Sequence, residues 1–469
     1  MGTEATKISA DFSPEKNIDR DETSEPWPSP ARAWYAVFVF ALALMINMLD
    51  RQIVSLLVGP IKRDLKLSDT QMGWLMGPAF VIFYMILGLP IARMVDSRNR
   101  RTILGVGVTI WSFMTSLCGF TKGFWQLLAC RVGVGSGEAC SGPATFSMLA
   151  DLFPREKLPR AIAALNFGFY AGTGLALALG GIIATEFANV PTVTLPLIGV
   201  TMRGWQVTFI IVGLPGLIVA ALMATVREPK RRGRIGSSAP NSKVSTDSVP
   251  IREVIAFLNT NRTTFAPIYI GMGIQVVMTY AGVTWGPAFY SRTFGWTPKE
   301  YGLVIGVITV TLMPVGTLLG SLLAERFARA GRDDANLRVV LIGKLLAMPF
   351  GILFPFMSNP YMAVAISTVS LFFLSLTAAP LNAALQVITP NQMRGQITAL
   401  FLFVFNVIGF ALGPLMIALF TDYVFKAESQ IGHSIVLTAL ILGPLGTVTI
   451  WLGLKPYGRS VAESRKWSY

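Results

Sequence analysis

The chain has 469 residues, 53% of them hydrophobic and only 14% charged. A soluble domain carries about 25% charged residues, so this composition points to a protein that crosses a membrane many times. The net charge of +14 does not mark a nucleic-acid binder, because the lysines and arginines gather between apolar runs, as they do in cytoplasmic loops. Three unpaired-looking cysteines (Cys118, Cys130, Cys140) and one histidine, His433, leave no disulfide framework and no histidine-rich metal centre. No metal or cofactor is expected.

Residues 1–32 are polar, contain Pro26, Pro28 and Pro30, and lack an apolar signal core. They read as a disordered tail. A spanning helix needs about 20 mostly apolar residues. Such segments follow at 33–57, 70–93, 102–121, 124–149, 158–185 and 204–226, then at 264–289, 299–323, 337–357, 361–387, 395–420 and 431–454. Between the two sets lies a basic, serine-rich linker, 227–263. It contains an amphipathic piece, Ile251 to Leu258, suited to the membrane surface. The expected organisation is an N-half at 33–226, the linker, a C-half at 264–455 and a cytoplasmic tail at 456–469.

Orientation follows from the loops. Arg93, Arg98, Arg100 and Arg101 follow the second segment, Arg155, Lys157 and Arg160 the fourth, and Arg326, Arg329, Arg332 and Arg338 the eighth. These loops, the linker and both termini are expected in the cytoplasm, in a multi-pass protein of the bacterial inner membrane. Lys62, Arg63 and Lys66, after the first segment, are the exception. The halves also echo each other. Leu149-Ala-Asp-Leu-Phe-Pro154 answers Leu385-Gln-Val-Ile-Thr-Pro390, and the charged loop at Asp96 answers the one at Glu325. Two related six-helix halves imply an all-α transporter with a site at midplane between them.

Four charges interrupt apolar helices: Asp50 and Arg51 in the first, Arg131 and Glu138 in the fourth. A charge at membrane depth costs at least about 2.5–3.5 kcal/mol and is kept for a partner or a task. Asp50 and Glu138 are the candidate proton carriers. Arg51 and Arg131 are their candidate partners, or a clamp for an anionic substrate. The plainer alternative is a permanent ion pair that fixes helix packing. Counting about 1.5 Å per residue from Trp34 and Trp125 puts Asp50 level with Arg131, and separates Arg51 from Glu138 by about 15 Å. The expected pair, in at least one state of the cycle, is therefore Asp50 with Arg131. Lys344 is expected to snorkel to the cytoplasmic edge. Gly168, Gly172 and Gly174 suggest close helix approach, and Pro143 a kink.

Several motifs together resemble a known family. Asp96-Ser-Arg-Asn-Arg-Arg101 is similar to the loop signature of the major facilitator superfamily, with Ala92, Ser97 and Asn99 departing from its pattern. Leu49-Asp-Arg-Gln-Ile-Val54, Arg131-Val-Gly-Val-Gly-Ser-Gly-Glu-Ala139 and Pro154-Arg-Glu-Lys-Leu-Pro-Arg160 resemble the spinster-like branch. The resemblance implies a proton-linked carrier of amphipathic lipids, working as a monomer by alternating access, with Asp50 and Glu138 as protonation switches. It also implies that Asp96 docks on the helix start at Met393-Arg394-Gly395-Gln396 when the inner side shuts, where a helix N-terminus attracts a carboxylate. Asp96, Arg100, Arg101, Glu325 and Arg326 are then gating candidates.

Cavity candidates are the polar and aromatic residues of the inner helices: Asn47, Tyr84, Asn166, Tyr170, Gln275, Tyr280, Trp285, Asn382 and Asn406. Each can equally be a helix-packing contact. Charges concentrate in the N-half and phenylalanines in the C-half, which suits a substrate with one anionic end. A small carboxylate or aromatic acid remains an alternative substrate. A channel is disfavoured by the paired halves, and an enzyme by the lack of a nucleophile with its base.

Overall fold

The computed structural model describes residues 27–154, 157–188, 190, 192–194, 201–231, 250–390 and 393–465. Most of the 1–32 tail, much of the 227–263 linker and the last residues of the chain lie outside this set. The N-half begins with α1 (Pro30–Leu56), whose proline sits in the first turn, where its missing N–H is harmless. A short α2 (Val58–Leu65) follows, then α3 (Asp69–Met76) and α4 (Pro78–Ser97). These last two form one span broken at Gly77, just ahead of Pro78. Then come α5 (Arg100–Cys118), α6 (Phe124–Glu138), α7 (Ser141–Leu152), α8 (Leu158–Ala188) and α9 (Gly204–Thr225). Between α8 and α9, Val193–Thr194 pairs antiparallel with Thr201–Met202.

The amphipathic piece is α10 (Ile251–Thr260). It buries Val254 and exposes Ile251 and Ile255. The C-half runs through α11 (Arg262–Phe294), α12 (Pro298–Arg329), α13 (Ala335–Leu353), α14 (Pro360–Ser375), α15 (Ala378–Val387), α16 (Arg394–Leu419) and α17 (Ile431–Ser464). A π-helical turn, Phe420–Phe425, continues α16. The last helix reaches ten residues beyond the 431–454 apolar run, so helix replaces much of the expected tail. Its final turns carry charge that the apolar count excluded.

Among the described residues, eleven helices are long and apolar enough to cross a membrane. The fourth segment, which carries Arg131 and Glu138, is not among them, and it breaks at Ala139 and Cys140, between α6 and α7. Pro143 lies just inside the new helix, as a proline in a first turn must. The C-half repeats the device at Leu376 and Thr377, ahead of Pro380 in α15. The fold is thus two related bundles of six spans.

The bundles touch from mid-height to the face opposite the basic loops. There α8 packs on α12, α16 on α3 and α4, and α1 on α11. The α8–α12 seam needs backbone against backbone. A Cβ built on Gly174 would lie 2.5 Å from the Gly306 carbonyl, and one on Gly306 equally close to that of Gly174. Gly168 and Gly172 face Ala41 and Met45 on α1, so the glycines of the fifth span serve close approach as their size requires.

Candidate functional site

The four intramembrane charges meet between α1 and α6. Asp50 and Glu138 have no exposed surface and Arg131 is 2% exposed. Arg51 donates from Nε (2.9 Å) and Nη2 (2.7 Å) to Glu138 Oε2, and Asn47 adjoins the same carboxylate. Arg131 bonds backbone carbonyls instead. Its Nη1 donates to the Asp50 carbonyl (3.2 Å) and its Nε to that of Leu75 on α3 (3.4 Å). Neither carboxylate oxygen of Asp50 accepts a hydrogen bond, although Thr115 of α5 stands beside it.

The expected Asp50–Arg131 ion pair is therefore not formed in this conformation, and Arg51 pairs with Glu138. The depth count compared straight, upright helices and left out side-chain reach. An arginine on a leaning helix spans several ångströms, and the guanidinium goes where a carboxylate can meet it.

Aromatic rings box in the arginines. The Arg51 guanidinium lies 4.7 Å from the Phe80 ring centre, 5.3 Å from Phe410 and 5.8 Å from Tyr84. Arg131 approaches Phe80 as well, at 5.7 Å. Tyr280 stacks on Phe410 at 3.6 Å. Guanidinium over an aromatic face is favourable by about 0.5–2 kcal/mol. Phe80 and Phe410 were not legible as site residues, because a phenylalanine in a spanning helix carries no signal of its own. Gly135 lets the Phe80 backbone approach α6.

The other cavity candidates divide. Tyr84 and Tyr280 join the charge cluster. Tyr170 bridges the halves, its hydroxyl 3.5 Å from Thr317. Asn382 is exposed on α15 and returns its amide to Ala378. Gln275 and Trp285 are packing groups inside the C-half. Trp285 donates to the Pro414 carbonyl (2.8 Å) and Gln275 to Thr377 (2.8 Å). The side chains of Asn166 and Asn406 lie outside the described residues. Lys344 does not snorkel. It is 5% exposed, and its ammonium donates to the Gly271 carbonyl (3.0 Å) and to Gln275 (3.3 Å). Those acceptors lie on α11, and together they hold the ammonium inside the bundle.

An apolar cavity of about 270 Å³ lies mostly within the C-half, and none of the four charges lines it. Gln52 and Leu177 bound it from the N-half, and Gly282, Tyr290, Tyr301 and Ile435 from the C-half. Its hydroxyl residues add little polarity. Thr279, Thr309, Ser370 and Thr438 all donate to backbone carbonyls, at 2.8–3.0 Å, so these hydroxyls are already satisfied. A Cβ on Gly282 would meet nothing within 4 Å.

On the face away from the basic loops, charges lock the halves together. Asp69, at the start of α3, receives both Nη groups of Arg292 from the end of α11, each at 2.7 Å, and Lys62 Nζ at 2.5 Å. Lys62 also meets Glu428 at 2.8 Å. Asp422, on the π-turn, accepts the backbone N–H (2.6 Å) and hydroxyl (2.7 Å) of Thr70. It thereby caps the α3 N-terminus from the other half, where a carboxylate is favoured. Lys62, an exception to the charge pattern of the loops, is explained by this lock.

The basic face differs. Asp96 is exposed and has no partner among the described residues. Arg326 is exposed too, and Glu325 reaches only Arg329, one helical turn on, at 3.6 Å. Arg101 bonds the C-terminal end of α9, through the carbonyls of Ala224 and Val226. Arg100 is enclosed by Asp151 and Glu228. Both arginines are thus tied within the N-half.

Two pseudo-symmetric six-span bundles, locked at one face and meeting at a buried charge cluster, are the architecture of a secondary transporter. The family model of the Major Facilitator Superfamily matches residues 40–414. An MFS-type efflux pump of Mycolicibacterium smegmatis is 28% identical, over 97% of this chain and 99% of that one. Protein spinster of Drosophila melanogaster is 24% identical, over 84% of this chain and 62% of that one. Among solved structures, a bacterial homologue of the human lysosomal transporter spinster, inward-facing and unoccupied, superposes with a TM-score of 0.76. It is 24% identical, and the match covers 94% of this chain and all of that one. The chain belongs to the major facilitator superfamily.

Proposed function

We propose that this transporter couples proton movement to the passage of an amphipathic, anionic organic molecule, acting as a monomer by alternating access. The observation that carries the reading is the uneven cluster: Glu138 is paired with Arg51, while the equally buried Asp50 carboxyl accepts no hydrogen bond. A buried ionised carboxylate without a partner is costly, and a proton removes the cost. In the proposed cycle Asp50 holds a proton in this conformation, which is open toward the basic, cytoplasmic side.

Loss of that proton leaves a carboxylate beside Arg131. The guanidinium then turns from the Leu75 carbonyl toward Asp50. Leu75 belongs to α3, whose first residues carry the Asp69 and Asp422 contacts. Releasing the end of α3 loosens the lock between the halves, with Gly77 as the hinge. On the cytoplasmic side, Asp96 then closes onto the start of α16.

The apolar cavity, bounded by Gln52, the residue after Arg51, supports a substrate with a charged head and a hydrocarbon body, as in a lysolipid. The efflux activity named for the mycobacterial relative supports outward transport. The test is proton-gradient-driven transport in liposomes, against a panel of lysolipids and small organic acids, with Asp50→Asn and Glu138→Gln as controls. Lysolipid transport whose pH dependence is lost in both variants is the expected result. Unchanged pH dependence in both variants would overturn the coupling role, and transport of small acids alone would overturn the substrate class.

A further inference from the structure

On the basic face each half brings together three pieces: the loop after its second span, the loop after its fourth, and the end of its sixth. In the N-half an ion cluster joins them. Arg100, 1% exposed, donates to Asp151 (2.5 Å), to Glu228 (2.8 Å) and to the Pro229 carbonyl (2.8 Å). Setting Pro154 against Pro390, with the C-half loop after Glu325 longer than its N-half counterpart, puts the third to sixth spans of the two halves in register. The same offset sets Arg100 against Asn336, Asp151 against Val387, and Glu228 against Ser464.

All three counterparts line one cavity of about 420 Å³. Where the N-half has an arginine clasped by two acids, the C-half has an amide, a valine, a serine and open space. Arg332, Arg394 and Arg465 also line this space. Asp333 answers Arg465 at 2.6 Å. Among the described residues neither Arg332 nor Arg394 meets a carboxylate. Arg394 directs its Nε to the carbonyls of Gln386 (3.1 Å) and Thr389 (3.0 Å) and is the first residue of α16. Three guanidiniums against one carboxylate leave positive charge in excess.

We propose that this pocket binds a phosphate-bearing anion, which supplies from outside the negative charge that Asp151 and Glu228 supply within the N-half. Arginine forks match phosphate oxygens, and basic pockets at the cytoplasmic ends of spanning helices hold lipid headgroups. A bound phosphate joins the end of α12, the start of α16 and the end of α17, as Arg100 and its acids join their counterparts. The N-half carries its own counter-ions, and the C-half borrows one.

The experiment measures thermal unfolding of the purified full-length chain in neutral detergent. It adds inorganic phosphate or phosphatidylglycerol, with chloride at matched ionic strength as the control. Two variants are compared. Arg332→Gln removes a donor, and Val387→Asp installs the acid of the N-half. In the unmodified chain the anion is expected to raise the melting temperature by about 2–4 °C. Both variants are expected to lose that rise, Val387→Asp because its own carboxylate occupies the pocket. A rise with phosphate alone assigns the site to a soluble anion. A rise with lipid only assigns it to a headgroup, and either result upholds the site. No rise with either, or an undiminished rise in Val387→Asp, overturns it.

Discussion

Arg51 aims two donors at one oxygen of Glu138, and that carboxylate is wholly buried while the arginine side chain is 21% exposed. The pair is asymmetric: Arg51 keeps a route to solvent and aromatic neighbours, whereas Glu138 depends on its partner. Removing one member of a buried pair costs about 3–5 kcal/mol, because the other is left uncompensated. Arg51→Ala is therefore expected to lower the melting temperature markedly. Arg51→Met combined with Glu138→Leu is expected to recover most of the loss, and the two melting curves check it.

Asp50 behaves differently under the same substitution chemistry. Its oxygens accept no hydrogen bond, so Asp50→Asn removes little that holds the fold. Its melting temperature is expected to stay close to that of the unmodified chain, while the pH dependence of transport disappears. Glu138→Gln, which weakens a charge-assisted pair worth about 1.5–3 kcal/mol, is expected to melt lower. Equal destabilisation by the two variants would contradict the partner assignment.

The lock on the face away from the basic loops rests on Arg292 and Asp69, joined by two hydrogen bonds of 2.7 Å across the halves. Arg292→Ala removes them and leaves Asp69 with Lys62. A loss of about 1.4 kcal/mol shifts the balance between conformations tenfold. The expected outcome is a population open on this face. Spin labels at Lys66 and Lys426, two exposed positions on opposite halves, are expected to report longer distances.

The seam between α8 and α12 gives an independent prediction. A side chain at Gly174 would press on the Gly306 carbonyl from 2.5 Å. Gly174→Val cannot be absorbed by rotating Val310, whose Cγ2 is nearer still, because the Gly306 carbonyl behind it is backbone. It is expected to favour the same opening as Arg292→Ala, by sterics rather than charge, and so to be insensitive to salt.

The C-half cavity has room at Gly282, where a Cβ meets nothing within 4 Å. Gly282→Leu is expected to fill it without lowering the melting temperature. Each buried methylene is favourable by about 0.8 kcal/mol. Long-chain substrates should therefore lose affinity by several-fold per excluded methylene, and short ones should be unaffected. Competition binding across a chain-length series measures this.

The sequence by itself determined the spans, the two halves and the four intramembrane charges. Apolar length, proline placement and the distribution of arginines are local properties, and the bilayer makes them decisive. The break ahead of Pro143 was legible for the same reason. Which charge meets which was decided only in three dimensions. Side-chain reach and packing placed Arg51 on Glu138, left the Asp50 carboxyl without an arginine donor, and drew Lys344 inward to the Gly271 carbonyl and the Gln275 side chain. Phe80, Phe410, Arg292 and Asp422 likewise acquired roles only when distant helices brought them together. Pairing depends on the relative tilt and height of separate helices, which tertiary packing sets and no single segment encodes.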